Sequence, residues 1–221
     1  MGGKARQGAE IAQVLSSLDP RGPYKSPYWE PFVGMCGVMR HMKAPIRIGS
    51  DVHKDVIAMW QAVQQGWEPP TSCSKQRFEK LKHNPEEPHL RGFVGHAMTF
   101  RGVFFSSYYE DGTRCRVGRK NVLDVRPNIE DVQFLTGSYD DIVLPRHTSF
   151  LIYCDPPYDD GTNLLVGSQK RFDSQKFWKW AREKSKYHTV VISEKNAPND
   201  FVPVWQSKDK IPHYLFVHKH T

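Results

Sequence analysis

The hydrophobic and polar positions of the chain alternate between strand-like and helix-like segments. Residues 150–154, Phe-Leu-Ile-Tyr-Cys, form an uninterrupted apolar run, which is typical of a strand covered on both faces of a parallel sheet. Further strands are predicted at residues 28–29, 46–48, 131–136 and 188–192, with a terminal hairpin within 202–217. Helical spacing of apolar residues is found at 5–18, 54–64 and 172–187, and another helix is expected after Gly37. The alternation predicts an α/β sheet.

The pattern changes after Gly66 and returns to strand-like runs only near residue 129. The intervening stretch lacks strand runs and is dense in arginine, lysine, histidine and aromatic residues. This composition predicts a mostly helical insertion into the sheet domain. The chain is therefore divided into residues 1–66, an inserted region at 67–128, and residues 129–221.

Length and composition limit the class of protein. The 221 residues suffice for one core with an inserted subdomain, and the apolar runs are far shorter than the roughly 20 residues that cross a bilayer. The first thirty residues contain no signal-like apolar core, so we expect an intracellular, cytoplasmic protein with no membrane partner. The four cysteines form no CxxC pair, which favours reduced thiols, and no metal site is expected.

The apolar run 150–154 ends abruptly at Asp155, Pro156, Pro157 and Tyr158. Ligands of open α/β sheets bind beyond the carboxyl ends of such strands. Two prolines make the loop stiff and supply carbonyl acceptors without N–H donors, which suits a pocket for an amino group. A plain solvated turn after the strand is the alternative.

Asp-Pro-Pro-Tyr after an apolar strand resembles the catalytic motif of amino-group DNA methyltransferases, which use S-adenosylmethionine. The resemblance implies that Asp155 and the Pro156 carbonyl accept hydrogen bonds from the exocyclic amine of adenine. Tyr158 would then stack on the base, which is flipped out of the duplex.

Two stretches nearer the N-terminus resemble the cofactor segments of the Dam-like adenine methyltransferases. The first is Gly-Gly-Lys at residues 2–4, preceded here by Met1 where the family usually has an aromatic residue. The second is Glu-Pro-Phe-x-Gly-x-x-Gly at residues 30–37. The resemblance implies that Lys4, Phe32 and Gly34 bind the cofactor, together with Asp155. A core position is the alternative for Phe32, and an unstructured start for the first stretch.

Asp51 lies after the second strand, roughly 20 positions beyond the first glycine turn, where Rossmann-like units hold ribose hydroxyls. The matching position in the Dam-like family is its cofactor-binding acid. The alternative is that Asp51 caps the following helix.

The insertion carries a basic cluster in a chain of formal net charge +7. Its members are Arg114, Arg116, Arg119 and Lys120. Such a cluster near aromatic residues is typical of phosphate contacts and base wedging, although a solvated basic face is the alternative for any one residue.

These features together predict a Rossmann-like methyltransferase sheet with helices on both faces and a mostly helical DNA-recognition insertion. The predicted activity is transfer of a methyl group from S-adenosylmethionine to adenine N6 in double-stranded DNA, in a bacterial, phage or mobile-element setting. Three rivals remain: a catalytically silent domain that only binds nucleic acid, an amino-methyltransferase acting on cytosine N4, and a methyltransferase acting on protein glutamine.

Overall fold

The computed structural model describes residues 4–109, 112–145, 147–157 and 172–219. The strands are β1 Tyr28–Glu30, β2 Arg47–Asp51, β3 Val132–Thr136, β4 Leu151–Cys154, β5 Thr189–Glu194, β6 Phe201–Gln206 and β7 Tyr214–His218. The helices are α1 Gly8–Ser17, α2 Lys54–Gln64, α3 Lys75–His83, α4 Pro88–Ala97, α5 Gly112–Val125 and α6 Ser174–Ser185. Short 3-10 turns occur at Met39–His41, Phe100–Gly102 and Arg126–Asn128.

All seven of these strands belong to one sheet, in the order β3-β2-β1-β4-β5-β7-β6. Strands β3, β2, β1, β4 and β5 pair in parallel, whereas β7 is antiparallel to both β5 and β6. The order 3-2-1-4-5 is that of doubly wound Rossmann-like sheets, and the order reverses between β1 and β4. The predicted α/β fold class is therefore confirmed, and so is the terminal hairpin.

The sheet has two differently covered faces. Tyr153 and Leu215 pack in one apolar cluster with Ile11 and Leu15 of α1, and we call this side the α1 face. On the other side, the α6 face, residues of β4 and β5 pack in a second cluster with Phe177 of α6. Because side chains alternate along a strand, odd positions of β4, β5 and β7 lie on the α1 face.

The inserted region is helical, as predicted, and it docks on α2. Arg91 of α4 forms an ion pair of 2.9 Å with Asp55, a carboxylate that is 3% exposed. Gly92 lets the two helices approach closely, since a Cβ there would lie 2.1 Å from the backbone oxygen of Asp55. The insertion is thereby fixed to the helix that directly follows the Asp51 loop.

The prediction of an α-helix after Gly37 is wrong, because the chain forms only a 3-10 turn there, at Met39–His41. The turn ends at Met42, whose backbone is extended with ψ at 142°. Arg47 Nη1 donates to the carbonyls of Met39 and Met42, at 3.4 and 3.0 Å, and so fixes the chain that leaves the turn. No helix in the described part of the chain is long and apolar enough to cross a membrane.

Candidate active site

Charged residues from distant parts of the chain meet at the carboxyl edge of the sheet, around the point where the strand order reverses. Glu30 ends β1, Asp51 ends β2, and Asp155 directly follows β4. Glu30 is only 3% exposed. An edge of this kind is where ligands of doubly wound sheets bind.

Lys4 and Asp155, 151 positions apart, are in direct contact. The Lys4 Nζ donates a hydrogen bond of 2.9 Å to Asp155 Oδ1. The two side chains are only 8% and 20% exposed. The structure thus brings together two residues that the sequence assigned to one site.

Glycines allow the N-terminal segment to reach this position. A Cβ on Gly8 would lie 1.9 Å from the carbonyl oxygen of Gly37, and a Cβ on Gly37 would lie within 3.3 Å of the backbone nitrogen of Lys4. The second glycine of the Glu-Pro-Phe string therefore permits close packing of two chain segments. That packing delivers Lys4 to Asp155.

Asp51 is held by the backbone on both of its oxygens. The N–H groups of Gly34 and His53 donate to it, at 3.0 and 2.9 Å. Burial raises the pKa of the Asp51 carboxyl, and these backbone donors oppose the rise. Gly34 itself adopts a φ of +44°, and its carbonyl accepts a 2.8 Å bond from the Trp60 indole. The N-cap of α2 is His53, so Asp51 does not occupy the cap position.

Phe32 lies in an aromatic cluster on the α6 face. Its ring centroid is 5.5 Å from that of Tyr139 and 5.7 Å from that of Phe177. The ring is partly exposed, so one part contacts the core while another remains available. The packing agrees with a core position for Phe32, and its contact with the cofactor stays a prediction.

Glu30 also lies at this edge, although the sequence interpretation did not single it out. The Tyr28 hydroxyl donates to its carboxyl at 2.9 Å. Burial raises the pKa of Glu30 well above its usual range, and the nearby charges of Asp155 and Asp51 add to the rise. Glu30 is the first residue of the Glu-Pro-Phe-x-Gly-x-x-Gly segment, and this position could have indicated it. The sequence interpretation instead considered the glycines of that segment.

Other predicted site residues are placed as follows. Pro156 is buried directly after Asp155. Tyr158, Gly2 and Gly3 lie outside the described residues, so the stacking role of Tyr158 stays a prediction.

The basic cluster on α5 divides into two kinds of residue. Arg114 donates to the Thr99 carbonyl at 3.1 Å and lies 4.0 Å over the Tyr109 ring, while Arg119 pairs with Glu68. Arg116 and Lys120 are exposed, although the Lys120 Nζ also pairs with Asp124 one turn along α5. They line an open cavity of about 410 Å³ whose lining also includes Thr71, Arg119, Leu123 and Asp124.

The sheet is a parallel doubly wound sheet extended by an antiparallel hairpin, with acidic residues and glycines at its carboxyl edge. Among known proteins, the chain is similar to the retron Ec67 DNA adenine methylase of Escherichia coli, with 24% identity over 170 residues. The match covers 66% of this chain and 60% of that relative, so the chain spans less than two thirds of the relative's length. The relative's name agrees with the Dam-like resemblance of the motifs. No family model matches the sequence.

Two solved structures are also similar. The rRNA methyltransferase AviRa from Streptomyces viridochromogenes aligns with a TM-score of 0.46 and 13% identity, covering 99% of this chain and 86% of that chain. A protein assigned as a methyltransferase and solved in complex with SAH aligns with a TM-score of 0.38 and 10% identity, covering 98% and 54%.

Proposed function

We propose that this protein transfers a methyl group from S-adenosylmethionine to the N6 amine of adenine in double-stranded DNA. The observation that carries the proposal is the contact between Lys4 and Asp155. It demonstrates a largely buried carboxylate that accepts a hydrogen bond from an N–H donor at the end of β4. A target amine would donate the same kind of bond there. The name of the retron relative supports DNA as the substrate and a mobile-element setting.

The chemistry requires such an acceptor because the lone pair of the adenine amine is delocalised into the ring. Asp155 and the Pro156 carbonyl would each accept one N–H, which favours a pyramidal nitrogen with an available lone pair. Groups aimed at charge that develops in the transition state lower the barrier without having to reorganise. S-adenosylmethionine supplies the electrophilic methyl group.

The residues present fit the cofactor. Each Asp51 oxygen already accepts one backbone N–H and retains a second lone pair for a ribose hydroxyl. Lys4 would face the methionyl carboxylate, and the exposed part of Phe32 would pack against the cofactor near Gly34.

We expect Asp51→Ala to weaken S-adenosylmethionine binding by about 1.5–3 kcal/mol, because a charged acceptor of a hydrogen bond is lost. The fold should persist, since the carboxylate faces the ligand edge. Calorimetric titration measures the affinity, with the exposed Glu183→Ala of α6 as the control. An unchanged affinity in folded Asp51→Ala would exclude this carboxylate from the site.

DNA binding is proposed for the basic face of α5, and chiefly for its exposed members. Replacing Arg116 and Lys120 together by alanine should lower the slope of log affinity against log salt by about 2. Alanine at Arg114 or Arg119 should also lower the stability of the insertion, because each residue loses a bond within the protein. Lys179 and Lys184 on α6, across the sheet, provide the matched double control. Equal slopes for wild type and the Arg116/Lys120 variant would show that these charges only face solvent.

A substrate pair tests the proposed activity. Labelled S-adenosylmethionine is incubated with a duplex and with the same duplex in which inosine replaces adenosine, which removes the exocyclic amine. We expect label in the adenine duplex only. Equal label in both would contradict adenine N6 as the target, and tight DNA binding without any transfer would support the silent domain.

A further inference from the structure

Ser193 has a buried hydroxyl beside the predicted amine site. Its side chain is 1% exposed, and its Oγ makes no hydrogen bond with any residue that the structure describes. Cys154 of β4 pairs with Ile192 of β5, and extending this register by one residue sets Asp155 beside Ser193 on the α1 face. A buried polar group without a partner destabilises the fold, so its presence next to a reactive carboxylate calls for an explanation.

His213, just before β7, lies next to Ser193 on the side away from Asp155. Ser193 pairs with Leu215 of β7, which makes His213 the diagonal neighbour of Ser193 on the α1 face, about 7 Å away by usual sheet geometry. The loop is fixed there, because the backbone N–H of His213 donates to Ser207 Oγ at 2.9 Å. Helix α1 covers this hairpin, with Glu10 accepting a 3.1 Å bond from the Trp205 indole.

The surroundings of His213 favour its uncharged ring. Burial lowers the pKa of His213, and the positive charge of Lys4 lowers it further. The carboxylates of Asp155 and Asp209 act in the opposite direction, while Lys195 again lowers the pKa. The net direction is downward from the usual value near 6.5. A neutral imidazole at neutral pH is able to accept a proton.

We propose that Ser193 and His213 form the proton exit path of the amine site, an inference that rests on the proposed function. Methylation gives the amine nitrogen a positive charge, and one N–H proton must leave a pocket that already holds Lys4. Asp155 and the Pro156 carbonyl accept both N–H groups of the amine, so the proton leaves through Asp155, whose neighbour on β5 is Ser193. The neighbouring hydroxyl and the imidazole behind it provide a route away from the base.

The atoms balance in one sequence. The amine lone pair forms the N–C bond to the methyl group, and the C–S bond breaks with its electrons remaining on sulfur. The nitrogen then gives a proton to Asp155, which passes it to Ser193 Oγ while the hydroxyl proton moves to the imidazole of His213. Ser193 is regenerated, and His213 releases its proton to solvent.

Ser193→Ala distinguishes a role of Ser193 in proton transfer from a role in stabilising the fold. Removing an unpartnered buried hydroxyl should leave the unfolding midpoint unchanged or raised, whereas the path predicts a kcat about 10²-fold lower with little change in KM. The matched control is Ser185→Ala on α6, where a hydroxyl is also buried without a partner among the described residues. Its kcat should equal that of wild type.

His213→Asn completes the test. We expect a similar fall in kcat, and the double variant should be no slower than the slower single variant, because both residues serve one path. Wild-type kcat should fall with decreasing pH as the imidazole becomes protonated, and His213→Asn should lose this limb. Normal kcat in Ser193→Ala, or multiplying effects in the double variant, would overturn the path. Absence of transfer by wild type would refute the proposed function instead.

Discussion

Asp155→Ala should reduce methyl transfer to duplex DNA by at least about 10²-fold, which corresponds to roughly 3 kcal/mol of lost transition-state stabilisation. The carboxylate is 20% exposed and already accepts an N–H bond from Lys4, so the acceptor geometry exists before the substrate arrives. Without it, the Pro156 carbonyl alone would orient the amine. Initial rates with labelled S-adenosylmethionine measure the effect.

DNA binding provides the control for Asp155→Ala. The isotherm should change by less than about twofold, because phosphate contacts on the insertion supply most of the affinity. Lys4→Met is the companion variant: it removes the ion pair but leaves the carboxylate able to accept the target amine, so transfer should persist at saturating cofactor. Near-normal transfer by Asp155→Ala would show that this carboxylate does not serve the amine.

Arg91→Leu should destabilise the protein by about 3–5 kcal/mol, the usual effect of leaving a buried charge uncompensated. Arg91 and Asp55 are 13% and 4% exposed, and the guanidinium also donates to the carbonyls of Leu81 and Asn84. Its position 5.2 Å over the Phe105 ring adds packing that leucine does not restore. Urea unfolding measures the loss.

The control for this prediction is another ion pair of the insertion. Arg77 and Glu87 are 38% and 40% exposed, so Arg77→Leu should cost only about 0–1 kcal/mol. A loss for Arg91→Leu as small as that of Arg77→Leu would contradict the view that Arg91 anchors the insertion on α2.

The sheet domain could be predicted from local patterns because its elements follow them closely. The apolar run 150–154 became β4, and the periodic segment 54–64 became α2. The short turn after Gly37 could not be predicted in this way, because the chain that leaves it is held by contacts with Arg47 that exist only in the folded chain.

The candidate site was predicted less completely. Motifs placed Lys4 and Asp155 in one site, and the structure brings them into contact. Burial, in contrast, is a property of the whole fold, so sequence did not reveal the raised pKa of Glu30 or the internal partners of Arg114 and Arg119. The strand pairing that sets Ser193 beside Asp155 is equally nonlocal.

Nucleoside analysis of cellular DNA tests the central proposal most directly. Wild type and Asp155→Ala are expressed in cells that lack adenine methylation of their own, and the DNA is digested and analysed by mass spectrometry. We expect N6-methyladenine with wild type and its absence with Asp155→Ala. DNA without N6-methyladenine from cells that contain folded wild-type protein, or with N4-methylcytosine in its place, would contradict it.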